Sequence, residues 1–222
     1  MTSRRPAADR RRWWLAAACF AVVLAGAACG DDGPAGPGDG DGNTVPEAQL
    51  LFLRQAASAP PLETTSLEFV ATAGERTSVE IRYQPRPGED SGERFLRFEL
   101  EDGSLLRYPP DHPTRPGQAF QPGDTVHIRI TVDDPALFRA TFEPSGLEFS
   151  AAAPAELEFA YPEADGDFDD DGLEDPELEE EIDIWRQENP GDDWERAGTL
   201  QDIELDEVEA TLTKFSRYGL AI

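Results

Sequence analysis

The stretch Thr125–Val132, TVHIRITV, decides the fold. Val126, Ile128, Ile130 and Val132 alternate with Thr125, His127, Arg129 and Thr131, so an extended chain turns every apolar side chain to one face and every polar one to the other. The same period of two recurs on both sides. Upstream, Leu67, Phe69 and Ala71 alternate with polar neighbours, then Val79, Ile81 and Tyr83, then Leu96, Phe98 and Leu100. Asp102-Gly103 follows the last of these and predicts a tight hairpin, with Leu105 on the return. Downstream come Phe138, Ala140 and Phe142, then Leu147 and Phe149, then Leu157, Phe159 and Tyr161. Ile182 and Ile184 precede Trp185, and Val208, Ala210 and Leu212 open a final strand. Turn signals (PG, DG, DDP, PSG) separate these runs. Many short alternating strands with almost no helical period predict an all-β protein, an antiparallel β-sandwich in one domain over 47–222. Only Glu47–Ala57, EAQLLFLRQAA, stays open between a short helix and a strand.

The N-terminus reads as an address rather than as part of that domain. Arg4, Arg5, Arg10, Arg11 and Arg12 precede an apolar core of 16 residues, Trp13 to Ala28, which is shorter than the roughly 20 a membrane-spanning helix needs. Small residues, Gly26, Ala27 and Ala28, end it, as signal peptidases require, and Cys29 follows at once. The expectation is a lipoprotein signal peptide over 1–28, with Cys29 carrying the acyl chains; an uncleaved signal anchor is the alternative. Residues 29–46 are rich in Gly, Pro and Asp and cannot bury a core, which predicts a flexible, self-repelling acidic linker.

Charge narrows the partners. The chain carries a net charge of −27, and loss of residues 1–28 removes five arginines and one aspartate, leaving −31. Nucleic-acid binding needs clustered Lys and Arg, so nucleic acid is excluded as a partner. Membrane contact is expected through the acyl chains on Cys29, and the localisation is the cell envelope, extracytoplasmic. Cys19 and Cys29 are the only cysteines, so the folded part has neither a disulfide nor cysteine chemistry.

Two C-terminal segments carry a family resemblance. One is Ala140–Phe149, ATFEPSGLEF, followed by Pro154–Tyr161, PAELEFAY; the other is Trp194–Gly198, WERAG, leading through Glu207–Ala210 to Phe215-Ser216-Arg217-Tyr218. Over about 137–222 this resembles the ZU-five domain of zonula occludens proteins, netrin receptors and ankyrin, which bacterial surface lipoproteins also carry. The resemblance implies a β-sandwich used for protein–protein contact and spacing rather than catalysis. In some relatives a histidine activates the serine of an H-F-S motif and the chain cuts itself. Here Lys214 stands in the histidine's place before Phe215-Ser216, so the base is missing. The strand pattern instead suggests a bulge or kink at Lys214–Ser216, with Phe215 filling the end of the sandwich.

The run from Asp165 to Asp175, DGDFDDDGLED, is the sharpest chemical candidate. Counted from Asp167, acids stand at positions 1, 3 and 5 (Asp167, Asp169, Asp171), Gly172 at 6 allows a sharp turn, the Leu173 carbonyl is at 7 and Asp175 at 9. Oxygen ligands in this pattern suit calcium. Position 12 is Leu178 where a bidentate glutamate belongs, so the loop is closer to extracellular D-x-D-x-D-G-x-x-D repeats. Asp175-Pro176 is expected to cap a short helix that carries Glu177 or Glu179 towards the ion. The same run also reads as a solvated acidic insertion between Tyr161 and Ile182. His112 in a proline-rich loop and His127 on a polar strand face have no spacing for zinc. Trp185 and Trp194 offer rings on which a sugar could stack, or else belong to an ordinary hairpin. Together these readings predict a non-enzymatic, membrane-tethered module for adhesion, scaffolding or contact with an envelope or extracellular protein. A carbohydrate- or peptide-binding module is one alternative, and a self-processing domain cleaving at Phe215–Ser216 is the other.

Overall fold

A computed structural model describes residues 44–168, 172–197, 199–202 and 205–222. Cys29 and the expected signal peptide lie outside these residues, as do Asp169 and Asp171. Fourteen strands follow in chain order: β1 (Thr44–Val45), β2 (Ser66–Thr72), β3 (Thr77–Arg82), β4 (Arg94–Leu100), β5 (Leu105–Arg107), β6 (Thr125–Val132), β7 (Arg139–Glu143), β8 (Glu148–Phe149), β9 (Ala155–Ala160), β10 (Asp183–Gln187), β11 (Trp194–Arg196), β12 (Thr199–Asp202), β13 (Glu207–Leu212) and β14 (Arg217–Ala221). Helical structure among the described residues is limited to two 3-10 turns, Glu47–Gln49 and Glu179–Glu181.

The strands form a seven-stranded sheet, β1-β11-β10-β14-β7-β6-β2, and a five-stranded sheet, β12-β13-β9-β4-β3, with β5 and β8 as a separate pair. Neighbouring strands run antiparallel throughout. This is the antiparallel β-sandwich that the alternation predicts. On β6, Val126, Ile128, Ile130 and Val132 are all buried, and Thr125, His127 and Arg129 are exposed. One contiguous core joins both sheets. Phe98 of β4 meets Phe142 of β7 at 5.6 Å between ring centroids and Phe215 at 5.3 Å, while Phe95 stacks on Phe138 at 5.3 Å. Each such ring, once fully buried, contributes roughly 1.5–3 kcal/mol.

Three local expectations are corrected. Asp102-Gly103 does make a tight turn, with Gly103 at φ +86° and the Ser104 N–H donating to the Glu101 carbonyl at 3.1 Å. It does not make a hairpin, however. β5 leaves the sheet and pairs with β8, while β4 is flanked by β3 and β9. The last strand is in fact two: β13 belongs to the five-stranded sheet and β14 to the seven-stranded one, so Thr213–Ser216 carries the chain across the sandwich. Phe215 fills the interior at that crossing, fully buried against Phe98, Phe142 and Phe149. Finally, the folded unit begins before Glu47, because Thr44 and Val45 pair with Glu195 and Trp194. The open segment 47–57 is a 3-10 turn followed by extended chain, bridged at Phe52 to Ala221 and at Arg54 to Leu137.

Candidate functional site

The acidic segment between β9 and β10 is tied down from within. Asp175 is only 8% exposed, and its carboxylate accepts the Phe168 N–H at 3.0 Å while its own N–H donates to the Gly166 carbonyl at 2.8 Å. Asp167 accepts the Gly172 N–H at 2.8 Å, and Gly172 turns at φ +90°, a left-handed conformation that glycine adopts without a Cβ clash. The Leu173 side chain is 68% exposed. Asp167 and Asp175 thus each use carboxylate oxygen to close the loop on itself. The expected helix after Asp175 is absent. Its place is taken by a turn and the 3-10 segment Glu179–Glu181, whose N-cap is Leu178. Glu179 faces Tyr161, accepting the phenol proton at 3.3 Å, and Glu177 is exposed. Among the described residues no three acidic, histidine or cysteine side chains converge as a metal-ligand group.

Two cavities flank this segment, and Phe168 lines both. The larger, about 340 Å³, is bounded by Phe52, Leu137, Arg54, Arg139 and Asp167. Its Arg139 is engaged by Glu47 at 3.0 Å and lies over the Phe52 ring at 5.5 Å. The smaller, about 240 Å³, is walled by Tyr161, Pro162, Phe168 and Pro176, with Glu174, Glu179 and Asp206 also lining it. Gln201 of β12 braces this second cavity by donating to the Glu179 carbonyl at 2.6 Å and to the Tyr161 hydroxyl at 3.4 Å. Burial pushes the Tyr161 phenol up to about 12, and the nearby Glu179 and Asp206 carboxylates add to the rise. Asp206 stands at φ +53°, and its carbonyl accepts the Tyr161 N–H at 2.7 Å, which fixes the turn beside the cavity. Nothing in the sequence marks Tyr161, Gln201 and Asp206 as neighbours, because they lie on three different elements.

The tryptophans are placed differently from the sugar-stacking expectation. Trp194 is fully buried and Trp185 is 4% exposed, so neither ring has a face available to a sugar. Both point away from the main core into a second apolar cluster with Leu50 and Ala221, against which Val45 and Phe52 pack. Trp194 meets the Phe52 ring edge-on at 4.9 Å, and the Trp185 indole N–H donates to the Ala221 carbonyl at 3.1 Å. They clamp the N-terminal segment onto the outer face of the seven-stranded sheet, within the β10–β11 hairpin that the sequence also suggests.

At the Phe215–Ser216 bond, Lys214 is ion-paired with Glu188, whose carboxyl that hydrogen bond holds below its usual range. Ser216 on the other side of Phe215 is itself 3% exposed. His112 accepts the Arg115 N–H at 3.0 Å and packs on Tyr108, so it stabilises its own loop. His127 lies on the exposed face of β6 beside Arg129 and Glu68. Against known proteins, no family model, no curated protein and no solved structure matches the chain.

Proposed function

We propose that this chain is a lipid-anchored, extracytoplasmic interaction module. Acyl chains on Cys29 hold it at a membrane, the acidic linker spaces it from the surface, and the sandwich engages a partner protein without catalysis. The observation that carries the interaction role is the placement of exposed apolar side chains. Among the described residues, Leu173, Leu200 and Leu205 are 68%, 75% and 59% exposed. They lie on the loop after β9 and on β12 and its following turn, the elements that Gln201 joins through Glu179 and Tyr161. Large exposed apolar side chains on a highly charged surface are characteristic of a protein-binding site. The ZU-five resemblance, which implies contact and spacing, agrees with this reading. Calcium bound by Asp167, Asp169, Asp171, the Leu173 carbonyl and Asp175 would stiffen the same region.

Fractionation of cells tests the anchor. The native chain is expected in the membrane pellet and a Cys29→Ala chain in the soluble fraction; equal retention of both would remove lipidation from the account.

A further inference from the structure

We infer that the 240 Å³ cavity between Tyr161 and Pro176 is a receptor for an arginine side chain presented by the partner. The inference rests on the interaction reading above and names the chemistry that the partner must display.

The charge pattern around the cavity supports it. Several buried or half-buried carboxylates of this acidic surface are matched by arginines. Glu163 is paired with Arg86 at 2.5 Å, Glu158 with Arg97 at 2.6 Å, and Asp133 with Arg217 at 2.6 Å. The larger cavity likewise has Arg54 and Arg139 in its own wall. Among the described residues the smaller one is lined by three carboxylates, Glu174, Glu179 and Asp206, and by no lysine or arginine. A guanidinium entering it would supply the charge that the fold supplies elsewhere.

The walls decide between arginine and a small cation. Phe168, Pro162, Pro176 and Tyr161 give it apolar and aromatic surface. A planar, weakly hydrated guanidinium stacks on such surface and donates in several directions at once, whereas a compact ammonium or a metal ion leaves the apolar walls unused. The pocket is also held in shape before any ligand arrives. The Asp175 carboxylate fixes the Phe168 backbone, Gln201 links Tyr161 to the Glu179 carbonyl, and the Asp206 carbonyl receives the Tyr161 N–H. Leu173 and Leu205 adjoin lining residues Glu174 and Asp206 in sequence, so apolar side chains flanking the arginine of a partner would have exposed leucines to meet.

The test is amide NMR of the full isotope-labelled chain in detergent micelles, titrated with the capped peptide acetyl-Leu-Arg-Leu-amide and with its uncharged citrulline analogue. The expected result is saturable shifts at Ala164, Gly166, Glu174 and Asp206, with at least about tenfold weaker binding of the citrulline peptide, an analogue that lacks the charge the carboxylates recognise. Glu174→Gln and Asp206→Asn should each weaken the arginine peptide several-fold; asparagine tolerates the left-handed backbone at 206, and Glu174 is exposed, so folding is retained. Three results overturn the inference: no saturation, equal binding of the citrulline peptide, or shifts spread evenly over the acidic surface. Failure here would leave the interaction role standing if a partner still cross-links at Leu205. Loss of that cross-link with arginine binding intact would instead sink the interaction role and keep the pocket.

Discussion

Trp194 shows how far a single residue can be read from sequence. Its strand and hairpin were legible, because Ile184-Trp185 and Trp194 bracket a proline-glycine turn. Its burial was not, since the cover comes from Leu50 and Phe52, more than 140 positions earlier. Truncation to Trp194→Ala should therefore lower stability by about 3–5 kcal/mol, as for a buried aromatic ring, when measured by urea unfolding. It should also expose the 47–53 segment to protease before the sandwich unfolds. Glu158 offers a second residue-scale test. It is 4% exposed on the outer face of the five-stranded sheet, and burial raises its pKa, with Arg94 and Arg97 countering only in part. A carboxyl whose folded pKa lies above its unfolded value binds its proton more tightly when folded. Its ionisation therefore removes stability as pH rises from the ordinary carboxylate range through the raised value. Glu158→Gln should be at least as stable as the native chain at pH 7. That advantage should vanish in acid, where Glu158 is protonated; a variant less stable at pH 7 than the native chain would contradict the assignment.

At the scale of elements, period-two alternation located the strands because burial on one face enforces it. It failed where the backbone departs from a regular ladder. Leu96, Phe98 and Leu100 announce β4, but Phe95 breaks the alternation and is nonetheless fully buried. The reason is a register shift: Ile81 opposes Leu96 and Arg82 opposes Arg94, leaving Phe95 as the extra residue that bulges into the core. Strand pairing was equally hidden, since β4 and β5 are joined by a tight turn yet belong to different sheets. The turn entering β4 is also tightly specified. A Cβ added at Gly92 would lie 1.8 Å from the Tyr83 carbonyl oxygen, and the neighbouring backbone is pinned by the Tyr83 N–H donating to the Glu93 carbonyl at 2.9 Å. Gly92→Ala should therefore cost at least about 2 kcal/mol by thermal unfolding, whereas Gly88→Ala, with open space around it but φ +98°, should cost less.

For the whole molecule, the sequence pattern spoke to fold class. A net charge of −27 repels phosphate backbones and leaves the chain self-repelling. The acidic loop's spacing was visible in the sequence, but the neighbouring cavity was not, because it depends on β12 and the 205–206 turn. If calcium occupies the loop, millimolar calcium should raise the unfolding midpoint over a chelated sample by up to a few degrees, corresponding to roughly 0.4–1.4 kcal/mol for a site of 0.1–1 mM affinity. An Asp169→Ala, Asp171→Ala double variant should abolish the rise, and identical midpoints in the native chain would reduce the loop to a solvated insertion.

In the proposed role the sandwich meets a partner through its exposed leucines, Leu173, Leu200 and Leu205. The most direct measurement places a photoreactive phenylalanine analogue at position 205 in living cells, with position 70 on the edge strand β2 as the control, since Val70 is 48% exposed. Illumination should give a discrete adduct of higher mass from position 205 and none from position 70. No adduct at 205, or the same adducts from both positions, would contradict the account.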